Sequence, residues 1–184
     1  MSNPKFRKLL ILFHLFAAGF MAPAFILLAI TGGAYLLDNK GQETRVAIDL
    51  PPGTVIDLKS PTAEADIRAL LNASKVDHDF EYLKNRGTNA QTRPTSRPYI
   101  NFSQKEGVWK AEKVTPNLMK AAIEIHKGHG PKLLKTYHKI VALLLIGVVL
   151  GGIFVGLLAK AYRRQTIGAL VFGTVLYLAL IFLA

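Results

Sequence analysis

The sequence predicts an α-helical membrane protein, with three transmembrane helices and one small extramembrane α+β domain. Three observations carry that prediction. Hydrophobic residues make up 51% of the 184, yet the formal net charge is +11. The two facts are compatible only if charge is confined to some stretches and excluded from others. Three stretches, 9–37, 140–159 and 166–184, contain no Asp, Glu, Lys or Arg at all. The segment between the first two is long enough for one small domain.

The first span, Leu9 to Leu37, is 29 residues long and is bounded by Arg7-Lys8 and Asp38. About 20 apolar residues cross the hydrocarbon of a bilayer. Lys5, Arg7 and Lys8 precede the run, and Ala22-Pro23-Ala24 imitates a signal-peptide cleavage site. The apolar stretch continues well beyond that point, which a removed signal does not need, so it reads as an uncleaved anchor.

The second span is Ile140 to Ala159, where fourteen of twenty residues are Leu, Ile, Val or Phe. Each contributes roughly −0.3 to −0.6 kcal/mol to insertion, which outweighs the cost of four glycines. Thr166 to Ala184 is the third. The six residues 160–165 leave room only for a tight turn, so the last two spans pair as a hairpin. An odd number of crossings then puts the N-terminus and this turn on one side, with the domain on the other. Each of the two carries three basic residues and no acid. Long segments are largely exempt from the positive-inside count and the first helix usually dominates. The expected order is a cytoplasmic N-terminus (1–8), helix (9–37), periplasmic domain with a pre-helix (38–139), helix (140–159), cytoplasmic turn (160–165) and helix (166–184).

Within the middle segment, Ser60-Pro61 reads as a helix start, Ser as N-cap and Pro at the first helical position. Ile67, Leu70 and Leu71 follow on one face. Phe80 to Leu83 is an expected short strand. Arg86 to Pro98, rich in Gly, Thr, Asn, Ser and Pro, is an expected loop. Tyr99–Phe102 and Val108–Ala111 flank Lys105-Glu106-Gly107, a hairpin pattern. Thr115-Pro116 is an expected second helix start, with that helix ending near Lys127 before Gly128 and Gly130-Pro131. A unit of this size has a thin core whose strand face calls for cover. Trp109 reads as core.

Familiar catalytic signatures are missing: there is no phosphate-cradling loop, no Gly-x-Ser-x-Gly and no His-Glu-x-x-His. With no cysteine, disulfides, thiolate metal sites and cysteine nucleophiles are excluded. The basic residues are dispersed among acids with no recognition helix, so the charge points to anionic lipid head groups rather than nucleic acid. Gly147/Gly151 and Gly152/Gly156 are small-xxx-small pairs suited to close helix packing, within the chain or between copies.

The histidines are the remaining chemistry. His14 lies inside the first span, and an ionisable group at that depth is a functional candidate by default. His138 immediately precedes the second span, with His126 and His129 shortly before it and His78 elsewhere in the domain. His126-x-x-His129 is a candidate metal pair, with Asp77 or Asp79 as an oxygen ligand.

Arg7-Lys8, then Leu12-Phe13-His14, then Ala29-Ile30-Thr31-Gly32-Gly33-Ala34 resemble the first helix of the PepSY-associated transmembrane family. Glu124-Ile125-His126, a glycine-bearing stretch and the span with Gly151-Gly152 are similar to its second. The resemblance covers about two-fifths of the chain and implies a PepSY-like middle domain. Larger members look like bacterial inner-membrane reductases, some acting on ferric siderophores, with b-type haem on span histidines. His14, His126 and His138 become haem-ligand candidates by that likeness. The chain departs from the family in having three spans rather than four, and in lacking the tryptophan that often follows the first histidine; it also carries no Ser/Thr-Gly-Ala-Ser/Thr flavin-attachment sequence.

Helix geometry limits the pairing. His14 is about 8 Å deep at about 1.5 Å per residue. His138 is at the opposite face of a core about 30 Å thick, so one iron cannot bind both. The arrangements left are a dimer joining two copies of His14, a partner subunit's histidine, or His138 with His126 or His129. Two function classes follow. One is a subunit of a periplasmic electron-transfer or iron-reductase system, not catalytic alone. The other is a non-catalytic assembly module whose domain binds a periplasmic protein while its spans dock other membrane subunits.

Overall fold

The structure is a computed structural model that describes residues 4–183, with side chains from Lys8 onward. The side chains of Lys5 and Arg7, and the terminal Ala184, lie outside the described residues. The chain divides into two compact units, one of residues up to Ala24 with Lys139 onward, the other Phe25–His138.

Helix α1 runs Pro4–Leu36 and continues through Pro23. Helix α4 is Lys132–Leu158 and α5 is Arg163–Leu183. All three are long and apolar enough to cross a membrane. The expected second span is therefore the later part of a longer helix. Pro131 sits just ahead of Lys132, where a missing N–H costs nothing, and no breaker follows. His138 is thus inside α4 rather than ahead of it.

In the first unit, Ala17, Met21, Ala24 and Val141 are buried. The glycines of α4 receive neighbours from within the chain. A Cβ at Gly147 would meet Phe13 at 3.8 Å, one at Gly151 or Gly152 would meet His14 at 3.7 and 3.8 Å, and one at Gly156 would collide with Thr166. The small residues therefore serve α1 on one stretch and α5 on the next. The four-residue connection after Leu158 is held by Arg163 N–H to Ala159 O (3.0 Å) and Thr166 N–H to Tyr162 O (2.9 Å). No residue of α5 is buried among those described.

The second unit is built on one five-stranded antiparallel sheet in the order β1-β5-β4-β3-β2. Its strands are β1 (Glu43–Ile48), β2 (Tyr82–Asn85), β3 (Asn89–Arg93), β4 (Tyr99–Lys105) and β5 (Val108–Pro116). The β4–β5 hairpin forms as the pattern predicts, closing Lys105 against Val108 across Glu106 (φ 51°) and Gly107 (φ 80°). Two successive positive φ values make a type I′ turn, whose twist matches that of paired strands.

Helix α2 (Ala63–Ala73) places Ala63, Ile67 and Leu71 on its buried face. With Ile56 and Leu58 it covers Ala90, Ile100, Phe102, Trp109 and Ala111 of the sheet. Each large side chain so buried contributes roughly 1.5–3 kcal/mol. The strand face is thus covered from within the unit, and Trp109 belongs to the core.

Four local expectations shift. The helix expected at Ser60-Pro61 begins at Ala63, because the Ser60 hydroxyl instead accepts the Thr62 N–H (3.1 Å) in a tight turn. The strand expected at Phe80–Leu83 begins at Tyr82, leaving Phe80 in the core. The loop expected at Arg86–Pro98 contains β3, a five-residue run with no large apolar side chain, which the surrounding Gly, Asn, Ser and Pro mask. The helix expected at Thr115-Pro116 starts at Leu118. Here β5 runs on to pair Pro116 with Glu43, and Asn117 caps α3 (Leu118–His126) by accepting the Lys120 N–H at 2.9 Å.

Candidate functional site

In the first unit the candidate site is a cleft of about 970 Å³ between the start of α1 and the end of α4. Leu10, Ile11, Leu15 and Ala18 line it from one side and Gly152, Val155 and Ala159 from the other. Among the described residues, His14 and Tyr162 supply its polar side chains. Periodicity explains the first wall, since residues 11, 14, 15 and 18 share one helical face. Absence of side chains explains the second: the bare backbone at Gly151-Gly152 lets the Cε1–Nε2 edge of His14 lie against α4.

The imidazole of His14 is half-buried and meets the Phe13 ring edge-on at 6.5 Å between centroids. It makes no hydrogen bond among the described residues. A polar group left unpaired in an apolar setting costs free energy, which a ligand can remove.

In the second unit the polar residues converge where α3 meets the sheet. Glu124 is buried, and its carboxylate accepts from Thr95 Oγ1 (2.7 Å), Lys127 Nζ (2.9 Å) and His129 Nδ1 (2.7 Å). Burial alone would raise its pKa, but those three hydrogen bonds outweigh it and hold the carboxyl down at about 2. Burial pushes His129 below its ordinary value in spite of Glu124. The contact is therefore an imidazole N–H donated to a carboxylate rather than a full ion pair near neutral pH. Thr95 also accepts from Arg93 (2.9 Å), a buried guanidinium whose pKa burial lowers. The five side chains tie β3, the turn after it, α3 and the segment that follows α3 into one polar cluster.

The other candidate histidines have assigned neighbours. His126 Nδ1 lies 2.6 Å from Thr31 Oγ1. Because Thr31 already donates to Leu27 O (2.6 Å), the imidazole Nδ1–H is assigned as the donor to the hydroxyl. His138 tilts against Tyr137 at 5.8 Å between ring centroids. His78 bonds Thr92 Oγ1 at 2.9 Å and stacks on Phe80. Asp79 pairs with Arg68 at 3.0 Å. Among the described residues no group of three or more His, Asp or Glu is placed to hold a metal ion.

These positions test the fit of a haem. The cleft at His14 is apolar, is of the size that holds an organic ligand, and presents one unpartnered imidazole, so it fits a haem with a single histidine ligand. A second histidine does not line it. Tyr162 is the one residue of the last two spans and their turn that the span topology places near the level of His14, and it lines the same cleft. Comparison with protein-family models, with curated proteins and with solved structures finds no match for this chain.

Proposed function

We propose that the chain is a haem-binding subunit of an electron-transfer or iron-reductase system in a bacterial inner membrane. In this reading α1, α4 and α5 cross the bilayer, the N-terminus and the α4–α5 turn are cytoplasmic, and the sheet domain, PepSY-like in character, is periplasmic. The observation that carries the proposal is His14: a half-buried imidazole with no hydrogen bond among the described residues, on an apolar cleft with one glycine-paved wall.

When bound, haem supplies one-electron chemistry. The chain's own residues do the rest. His14 offers a ring nitrogen to the iron, Leu10, Leu15 and Val155 exclude water, and Tyr162 places a hydroxyl at the rim. In this reading the chain passes electrons together with another subunit rather than acting alone.

The test is a visible absorption spectrum of the purified, haem-reconstituted protein. A Soret band and a dithionite-reduced α band are expected, retained in His126→Ala and His138→Ala and lost in His14→Ala. A colourless protein after reconstitution overturns the proposal. The alternative reading, a non-catalytic assembly module, is favoured by α5, none of whose described residues is buried. A stable, colourless complex with another membrane protein supports it.

A further inference from the structure

Lys160, Arg163 and Arg164 stand within five residues of one another at the exposed turn between α4 and α5. None is in an ion pair with a carboxylate among the described residues. Arg163 is partly engaged, its Nε donating to Leu157 O at 2.7 Å across the end of α4. The three flank a shallow depression of about 340 Å³, shared with Ala161 and Gln165. Ala159 and Tyr162 of this same turn line the apolar cleft that holds His14. Two residues lining the apolar cleft thus alternate along the chain with a rim of like charges that no carboxylate pairs with among the described residues. Such a rim attracts an acid group, and the cleft attracts an apolar body.

We infer that cleft and turn form a single site for an amphiphile, with its apolar body against His14, Leu15 and Val155 and its carboxylates on Lys160 and Arg164. The inference rests on the reading that His14 holds the ligand, and it assigns the haem's two propionates to the turn. Arg163 serves mainly to close the α4 terminus, and Tyr162 stands between the two halves of the site. An anionic phospholipid shares the same chemistry, an acyl chain in the cleft and a phosphate on the turn, and is the competing occupant.

The experiment is a titration of the full chain in neutral detergent with haem and, separately, with haem dimethyl ester, followed by the Soret shift. Haem is expected to bind about tenfold or more tightly than the ester, the order expected for losing charge-assisted hydrogen bonds. In Lys160→Gln/Arg164→Gln the two affinities are expected to converge to within about twofold, with that for the ester unchanged. Arg164→Gln alone is expected to fall between, so the ordering does not depend on the double variant. Equal affinities in the unaltered protein overturn the carboxylate clamp and leave the His14 reading standing. A Soret response to neither porphyrin overturns both. Phosphatidylglycerol that co-purifies with the unaltered protein, is lost from the double variant and is not displaced by haem reassigns the site to lipid and overturns the inference.

Discussion

Thr31 Oγ1 and His126 Nδ1 are 2.6 Å apart, joining α3 of the sheet domain to the later part of α1. The hydroxyl also bonds Leu27 O at 2.6 Å, so it serves as a relay between the helix backbone and the imidazole. Thr31 is buried while His126 is largely exposed.

Thr31→Val keeps the shape of the side chain and removes the relay. Water can reach His126, so the expected loss is that of one hydrogen bond, about 1 kcal/mol. The amides of α3 are expected to exchange faster, with those of α2 unchanged. Hydrogen exchange read by mass spectrometry over Leu118–His126 and over Ala63–Ala73 checks both. Equal acceleration in the two helices would show that the contact does not hold α3 locally.

Glu124 sets the acid response of the domain. Its carboxyl titrates near 2 against an ordinary value of 4.5. A depressed carboxyl contributes stability above its unfolded pKa and loses it as pH falls through the folded one. The loss therefore spans about pH 4.5 to 2 and amounts to about 3 kcal/mol. His129 acts in the same direction. Its folded pKa is lowered, so the unfolded chain takes up the proton first as pH falls below 6.5. Glu124→Gln keeps a hydrogen-bonding side chain but removes the charge. It is expected to be less stable at pH 7 and to flatten the pH dependence below 4.5. Denaturant melts at pH 7, 4.5 and 3 are the measurement.

The apolar runs made the three long helices readable in advance, because length and hydropathy need no knowledge of partners. The β4–β5 hairpin was equally readable, since Glu106-Gly107 sits between two alternating runs. What could not be read was decided by distant partners. β1 is a polar strand, Glu43-Thr44-Arg45-Val46-Ala47-Ile48, that exists because β5 pairs with it along its length. β3 is the short polar run Asn89-Ala90-Gln91-Thr92-Arg93, set among turn residues, and it exists because β2 and β4 pair with it on either side. The candidate site divides in the same way. His14 stands out in sequence as an imidazole among apolar residues. Tyr162, 148 positions later, is brought to the same level by the three-span topology, and the fold adds that both line one cleft. Glu124 gave no sign of burial, because its partner Thr95, with Arg93 behind it, comes from the segment that reads as a loop.

Gly156 tests the hairpin of α4 and α5. A Cβ there would collide with the Thr166 hydroxyl and would lie 2.9 Å from its Cγ2 and 3.1 Å from its Cβ. Gly156→Ala is expected to cost about 1–3 kcal/mol through overpacking. Thr166→Ala in the same chain removes the first two contacts and is expected to restore most of the loss. Gly147→Ala is the control, since its Cβ would meet only Phe13 at 3.8 Å. Thermal unfolding in detergent ranks the four proteins. A Gly156→Ala protein as stable as the unaltered chain would mean that the two helices do not pack at this point.

The glycine wall beside His14 gives a graded test of the cleft. At Gly152 a methyl group would stand 3.8 Å from His14 Nε2, an ordinary contact, so Gly152→Ala is expected to leave the imidazole in place. Gly152→Leu carries three more carbons into the same space and must displace the ring or spread the helices, at about 1–3 kcal/mol. Displacement exposes His14, so its modification by diethyl pyrocarbonate, located by mass spectrometry, is expected to rise several-fold in Gly152→Leu and not in Gly152→Ala. Reconstituted haem absorbance is expected to follow the same order, retained in the first variant and lost in the second. Circular dichroism distinguishes a displaced ring from an unfolded chain, since helicity survives the former. If His14 modifies equally in all three proteins, the imidazole does not depend on the bare face of α4, and the cleft as described does not hold it.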